Sequence, residues 1–212
     1  MNDTFDGGSS RNGASGPASA GIAAIALAGL TAPRKTLPPS LFYDPEGCRL
    51  FYEITRLPEY YLTRTELALL GRIAPEAAAA MPLGATLVEY GASDETKAAF
   101  LLRAHRADQP VFTTYVPIDI AGPELTAMRQ RMRDQSPGVR VLPVTADFMR
   151  PVALPARPGE TGVMGFFPGS TIGNLEPDAA TDFLRRARAA LGPDARFLLG
   201  FDNCRDPARL VP

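Results

Sequence analysis

The sequence predicts an α/β fold: a parallel sheet with helices on both faces, preceded by an N-terminal helical segment. Three observations carry this. From residue 84 onward, short apolar runs alternate with amphipathic helical patterns, the signature of strand–helix–strand crossovers. Residues 40–81 show helical periodicity only, with no strand pattern. The apolar runs end on Gly, Asp or a polar loop, as strands do where they leave a sheet.

The elements follow in order. Residues 1–17 are Gly/Ser/Asn-rich, so a disordered leader is expected there. Residues 18–32 are alanine-rich and predict a short helix, and 33–39 an irregular connector. Asp44-Pro45-Glu46 starts a helix, with Asp44 as cap and Pro45 in the first turn; Leu50, Phe51 and Ile54 form its apolar face and Pro58 ends it. Thr63-Arg64-Thr65-Glu66 fits a capping box, opening a helix with Leu67, Leu70 and Ile73 inward and continuing through the alanines of 75–81. Strands are predicted at 86–90, 111–118, 139–144, 163–167 and 196–201. Helices are predicted over 95–107, from Gly122-Pro123 on, and over 177–191 with Gly192 closing it. A leader (1–17), a helical part of a substrate domain (18–82) and a Rossmann-like cofactor domain (83–212) are the expected divisions.

Composition narrows the function. The 212 residues carry 22 basic and 23 acidic side chains, so no cationic excess is available to neutralise a nucleic-acid backbone. The two cysteines, Cys48 and Cys204, stand far apart, and a disulfide framework or metal site is not expected. The single histidine, His105, falls on the polar side of the 95–107 helix and reads as a surface residue, leaving Ser-His-Asp chemistry without support. No run approaches the roughly 20 apolar residues that span a bilayer, and the N-terminus lacks a basic signal region. A cytoplasmic, monomeric protein without a membrane or nucleic-acid partner is expected.

Four predicted strands carry a candidate ligand group just past their carboxyl ends: Gly91, Asp119, Asp147, and the polar loop Gly169-Ser170-Thr171-Ile172-Gly173-Asn174. Each alone has a plain structural reading, a turn or a helix cap. All four on one sheet edge form a pattern that folding does not demand, at the place where α/β sheets bind small ligands. Gly91 removes a side chain where a cofactor approaches the backbone. Asp119 can accept hydrogen bonds from a ribose diol, and Asp147-Phe148 suits an adenine. The loop Gly91-Ala92-Ser93-Asp94-Glu95-Thr96 is not the Gly-x-Gly-x-x-Gly turn that holds a pyrophosphate. Its acidity suits a cationic sulfonium better, which favours S-adenosylmethionine (SAM) over a dinucleotide.

The runs Leu37–Asp44, Ile54–Glu66, Leu87-Val88-Glu89-Tyr90-Gly91, Pro117-Ile118-Asp119, Ala146-Asp147-Phe148, the loop 169–174, Leu199–Asp202 and Asp206–Leu210 resemble the histidine-specific SAM-dependent methyltransferases of ergothioneine biosynthesis. The likeness runs from about residue 26 to the end. It implies a Rossmann-like methyltransferase fold and transfer of three methyl groups to the α-amine of L-histidine, giving hercynine. By the same resemblance, Gly91, Lys97, Asp119, Asp147 and Phe148 bind SAM, with Lys97 on its carboxylate. Tyr60 and Asn174 hold the amino-acid end of histidine with Tyr43 close by, and Asn174 aims the attacking lone pair; no metal is implied. Ser93 departs from the family's second glycine. The family continues beyond Pro212, so a C-terminally truncated chain is expected, lacking the groups that read the imidazole. A non-catalytic SAM-binding remnant and a methyltransferase for another small amine stay open as alternatives.

Overall fold

The computed structural model describes residues 17–42, 44–155 and 162–204. The expected leader, except for Pro17, lies outside the described residues, as do Tyr43 and the 206–210 part of the tail motif. The chain divides after Phe42 into two compact units. The first holds helix α1 (Pro17–Thr31) and a 3-10 turn at Pro39–Phe42. Within it the Lys35 ammonium donates to the Leu30 carbonyl at 2.7 Å and Thr31 Oγ1 to the Leu27 carbonyl at 2.7 Å, satisfying acceptors that a helix end leaves open.

The second unit begins with α2 (Pro45–Ile54) and α3 (Tyr61–Ala79). Asp44 caps α2 as expected, accepting from the Gly47 N–H at 2.7 Å. The Thr63 capping box does not form: α3 starts earlier, behind Tyr60, and no side chain caps it. Arg64 instead fastens the turn before α3, donating to the carbonyls of Pro58 at 2.5 Å and Tyr60 at 3.2 Å. Then follow β1 (Ala85–Tyr90), α4 (Ala98–Leu102), a hairpin of β2 (His105–Arg106) and β3 (Gln109–Pro110), and β4 (Phe112–Asp119). The helix predicted over 95–107 is therefore only five residues long. Ala107 and Asp108 adopt φ of 49° and 60°, the turn that joins twisted strands tightly, and His105 sits exposed on β2 rather than on a helix.

Helix α5 (Gly122–Gln135) buries Leu125, Met128 and Met132, as the spacing predicts. The strand predicted at 139–144 is split into β5 (Arg140–Val141) and β6 (Val144–Thr145), both paired with β4. Pro143, which has no N–H for a ladder, stands at the break. Next come β7 (Val163–Phe167), a 3-10 turn at Thr171–Asn174, α6 (Pro177–Leu191) and β8 (Arg196–Leu199).

The sheet runs β5/β6–β4–β1–β7–β8, with every pairing parallel. Strand order reverses between β1 and β7, the switch point at which such sheets open a crevice. All six residues of β1 are buried, as expected for a strand covered on both faces. Leu87, Tyr115 and Phe166 pack under α3, α4 and α5, while Val88, Val116 and Phe167 pack with Phe183, Ala187 and Leu191 of α6. Burying a side chain of that size is worth about 1.5–3 kcal/mol. Parallel pairing puts the carboxyl ends of β1, β4, β6, β7 and β8 on one edge, and the candidate ligand groups follow those ends.

Candidate cofactor and substrate site

Gly91 follows β1 with φ +74°, a conformation that disfavours any side chain. Its N–H and that of Ala92 both donate to the Ile118 carbonyl of β4, at 2.9 and 3.1 Å, which pins the turn to the neighbouring strand. Phe148 reaches this turn; a Cβ on Gly91 would lie 3.5 Å from its ring. The Phe148 ring also packs on Phe167 and Phe183, with centroids 5.4 and 5.7 Å away. Phe148 is thus part of the α6-side core as well as a neighbour of Gly91.

Asp119 ends β4. Its Oδ1 accepts from the Ala121 N–H at 2.9 Å, and burial raises its pKa against the lowering effect of backbone N–H groups. A carboxylate has about four lone-pair sites, so one N–H does not exhaust it. Asp147, two residues past β6, accepts from the Met149 N–H at 2.8 Å and lies 3.6 Å from the Arg150 guanidinium. Asp94, after β1, repeats the motif with the Thr96 N–H at 2.8 Å. The acidic loop after β1 is held further by Arg131 of α5, which donates to both oxygens of Glu95 at 2.8 and 2.6 Å and lowers that carboxyl's pKa.

Helix α2 lies against this stretch of the rim. Burial pushes the Tyr52 phenol up to about 12, opposed by the neighbouring Ser93 side chain and aided by the Asp94 charge. Burial likewise raises the Cys48 thiol, followed by the charges of Asp119, Glu124 and Asp44. Beneath the rim, Glu89 of β1 is fully buried and accepts from the Tyr115 hydroxyl of β4. Burial pushes Glu89 up to about 8, opposed by the Tyr115 hydrogen bond and by Lys97.

The β7 side is built differently. Lys97, just ahead of α4, pairs with Glu66 of α3 at 2.7 Å. The other oxygen of Glu66 accepts from the Gly169 N–H at 2.7 Å. A Cβ at Gly200 would fall 2.2 Å from the Glu66 carboxylate, so a side chain there would displace Glu66 from its present position. Ser170 takes a left-handed conformation, φ +57°, and its Oγ accepts from the Asp202 N–H at 3.0 Å. The Tyr61 hydroxyl donates to Asp202, tying α3 to the segment after β8. Asn174 ends the 3-10 turn that follows Ser170 and is exposed. Tyr60 is half-buried at the head of α3, edge-on to Phe51 with centroids 6.1 Å apart.

The structure therefore places Gly91, Asp119, Asp147 and the 169–174 loop on one edge of one sheet. It joins Lys97 to the Gly169 loop through Glu66. Glu66 is the residue that sequence reasoning missed; its fit to a capping box gave it a local role that α3 does not use. Among the described residues, no three His, Cys, Asp or Glu side chains gather as a metal site, and no helix is long and apolar enough to cross a membrane.

Comparison with known proteins bears on this edge. Residues 22–212 match the family model described as histidine-specific methyltransferase, SAM-dependent. The histidine N-alpha-methyltransferase of Mycolicibacterium smegmatis is 40% identical over 184 residues, 87% of this chain and 56% of that protein. The enzyme of the same name from Mycobacterium tuberculosis is 38% identical, covering 86% and 56%. The 4-dimethylallyltryptophan N-methyltransferase easF of Claviceps purpurea is 28% identical, covering 87% and 56%. The chain thus spans a little over half the length of each of these relatives.

Proposed function

The chain belongs to the family of histidine-specific, SAM-dependent methyltransferases, and on that premise we propose that it methylates the α-amine of L-histidine, three times over, to hercynine, the first step of ergothioneine biosynthesis. The observation that carries the site is the placement of Gly91, Asp119 and Asp147 past the ends of three adjacent parallel strands, beside the strand-order switch.

The residues present fit SAM. The bare left-handed turn at Gly91 leaves the backbone open to close approach. Asp119 presents a partly buried carboxylate to a ribose diol, and Asp147 with Phe148 offers an acceptor and an apolar edge to an adenine. Lys97 offers an ammonium to the SAM carboxylate. When bound, SAM supplies an electrophilic methyl group on a sulfonium. Tyr60 and Asn174 hold the amino-acid end of histidine, and Asn174 orients the lone pair of the neutral α-amine toward the cofactor side. Orientation of this kind accounts for a large share of the rate in such displacements. Tyr43 completes this role and lies outside the described residues.

The test is calorimetry of the 212-residue chain with S-adenosylhomocysteine, then mass detection of methylated histidines after incubation with SAM and histidine. Binding with mono-, di- and trimethylated products supports the reading. Asn174→Ala is expected to lower kcat/KM for histidine by roughly tenfold or more, the worth of one hydrogen bond to a reacting group, with cofactor affinity within about twofold. Cofactor binding without methylated histidine would overturn the histidine assignment and leave a non-catalytic SAM-binding protein or one for another amine. The likeness to the Claviceps enzyme, whose name gives a tryptophan derivative as substrate, makes aromatic amino acids the comparison panel.

A further inference from the structure

Glu66 connects groups that the proposed reading treats separately. Its two carboxylate oxygens are engaged on opposite sides: Oε2 by the Lys97 ammonium and Oε1 by the Gly169 N–H, each at 2.7 Å. Its side chain is only 15% exposed and that of Lys97 22%. A carboxylate so covered must be paired and hydrogen-bonded, and here both partners belong to proposed ligand-binding segments. The absence of a side chain at Gly200 opens the space that Glu66 occupies, so a third segment is shaped around it.

We propose that Glu66 is a positioning residue of the methyl-transfer site, holding the Lys97 ammonium and the Gly169 loop in fixed register. The inference rests on the reading above, in which Lys97 meets the SAM carboxylate and the 169–174 loop presents Asn174. An ammonium has three hydrogens; Glu66 takes one and leaves two for a ligand. A lysine without this partner samples its full rotamer set, and the ligand must then order it on binding. The loss should fall on ligands that carry the amino-acid end of SAM and spare those that lack it.

The experiment compares S-adenosylhomocysteine with 5′-methylthioadenosine, which keeps the nucleoside thioether and lacks the amino-acid end. For Glu66→Ala, affinity for S-adenosylhomocysteine should fall about tenfold, as for one charge-assisted contact, with 5′-methylthioadenosine within about twofold. Glu66→Gln keeps one acceptor oxygen and should recover part of the loss, to about threefold. If the alanine variant is unfolded by circular dichroism, the glutamine variant decides by the same selectivity. Equal loss for both ligands, or none, overturns the inference while the cofactor site stands. Tighter S-adenosylhomocysteine also overturns it, making Glu66 a competitor for Lys97. If the unaltered chain binds neither ligand, the reading of the rim falls and this inference with it.

Discussion

Two stretches of the same sheet edge differ in how far in sequence their fixing contacts reach. Past β1, β4 and β6, Asp94, Asp119 and Asp147 each accept the backbone N–H two residues on, at 2.8, 2.9 and 2.8 Å. These carboxylates are oriented by their own three-residue segments. Past β7 and β8, α3 adds contacts of its own, Glu66 reaching Gly169 and Tyr61 reaching Asp202, beside the Ser170–Asp202 bond and the Cys204 N–H that Asp202 accepts at 2.9 Å. The three carboxylates of the first stretch are oriented as soon as their own turns form. The Glu66 and Tyr61 contacts of the second are made only once α3 has docked on the sheet. A ligand lying along the edge meets a side preset by local geometry and a side that depends on long-range packing.

The largest expected effect separates binding from stability on the preset side. Asp119→Ala should weaken S-adenosylhomocysteine roughly a hundredfold, about 3 kcal/mol, for two lost charge-assisted hydrogen bonds to a ribose. Folding should lose only about 1 kcal/mol, the worth of the single local bond to Ala121. Calorimetry and a urea melt of the same sample give both numbers. A large stability loss with retained affinity would reverse the comparison, making Asp119 a structural residue.

A second effect arises where the two stretches meet. Glu89 lies beneath them, fully buried, bonded to Tyr115, with Lys97 lowering its pKa and Asp94 and Glu66 raising it. Burial dominates, and the carboxyl is pushed from 4.5 up to about 8. The folded chain therefore holds this proton where the unfolded chain has lost it. The contribution of Glu89 to stability is complete below pH 4.5 and is lost as pH rises through about 8. Between pH 6 and pH 7 the unaltered chain should lose about 1.4 kcal/mol relative to Glu89→Gln, read from paired urea melts. Parallel pH profiles for the two proteins would show that Glu89 is ionised in the fold, and that both stretches tolerate a buried charge between them.

This division also explains what the sequence disclosed. Gly91, Asp119 and Asp147 were legible because each stands at or within a few residues of the end of an apolar run, and a strand end locates its next residues without tertiary knowledge. The buried triplet Leu125, Met128, Met132 was legible in the same way, through helical spacing. On α6 the spacing of Ala180, Leu184, Ala187 and Leu191 gave Ala187 and Leu191 correctly, but the structure buries Phe183 and leaves Leu184 exposed. Glu66 was not. Thr63 and Glu66 satisfy a local rule, but the chain before them, fastened by Arg64, starts α3 at Tyr61 and frees Glu66 for partners far away in sequence. The hairpin after α4 was missed for a related reason. Ala107 gives no sign of a left-handed turn, and the pairing of His105 with Pro110 only becomes visible once the strands are placed.

The smallest expected effect sits on the packing-dependent side, at Ser170. Its left-handed backbone costs a residue with a side chain about 1–2 kcal/mol. Its Oγ meanwhile accepts from the Asp202 N–H, worth about 1 kcal/mol. The two terms are separable by two variants. Ser170→Gly loses the acceptor and relieves the backbone, so its net change should lie within about 1 kcal/mol of zero. Ser170→Ala loses the acceptor and keeps the strain, so it should be about 1 kcal/mol less stable than the unaltered chain and 1–2 kcal/mol less than the glycine variant. Urea midpoints at matched slopes measure both. If alanine and glycine prove equally destabilising, the long-range hydroxyl bond alone holds this loop. If alanine matches serine while glycine exceeds both, local backbone geometry shapes the β7 side too, and the contrast with the Asp119 stretch narrows to Glu66 and Tyr61.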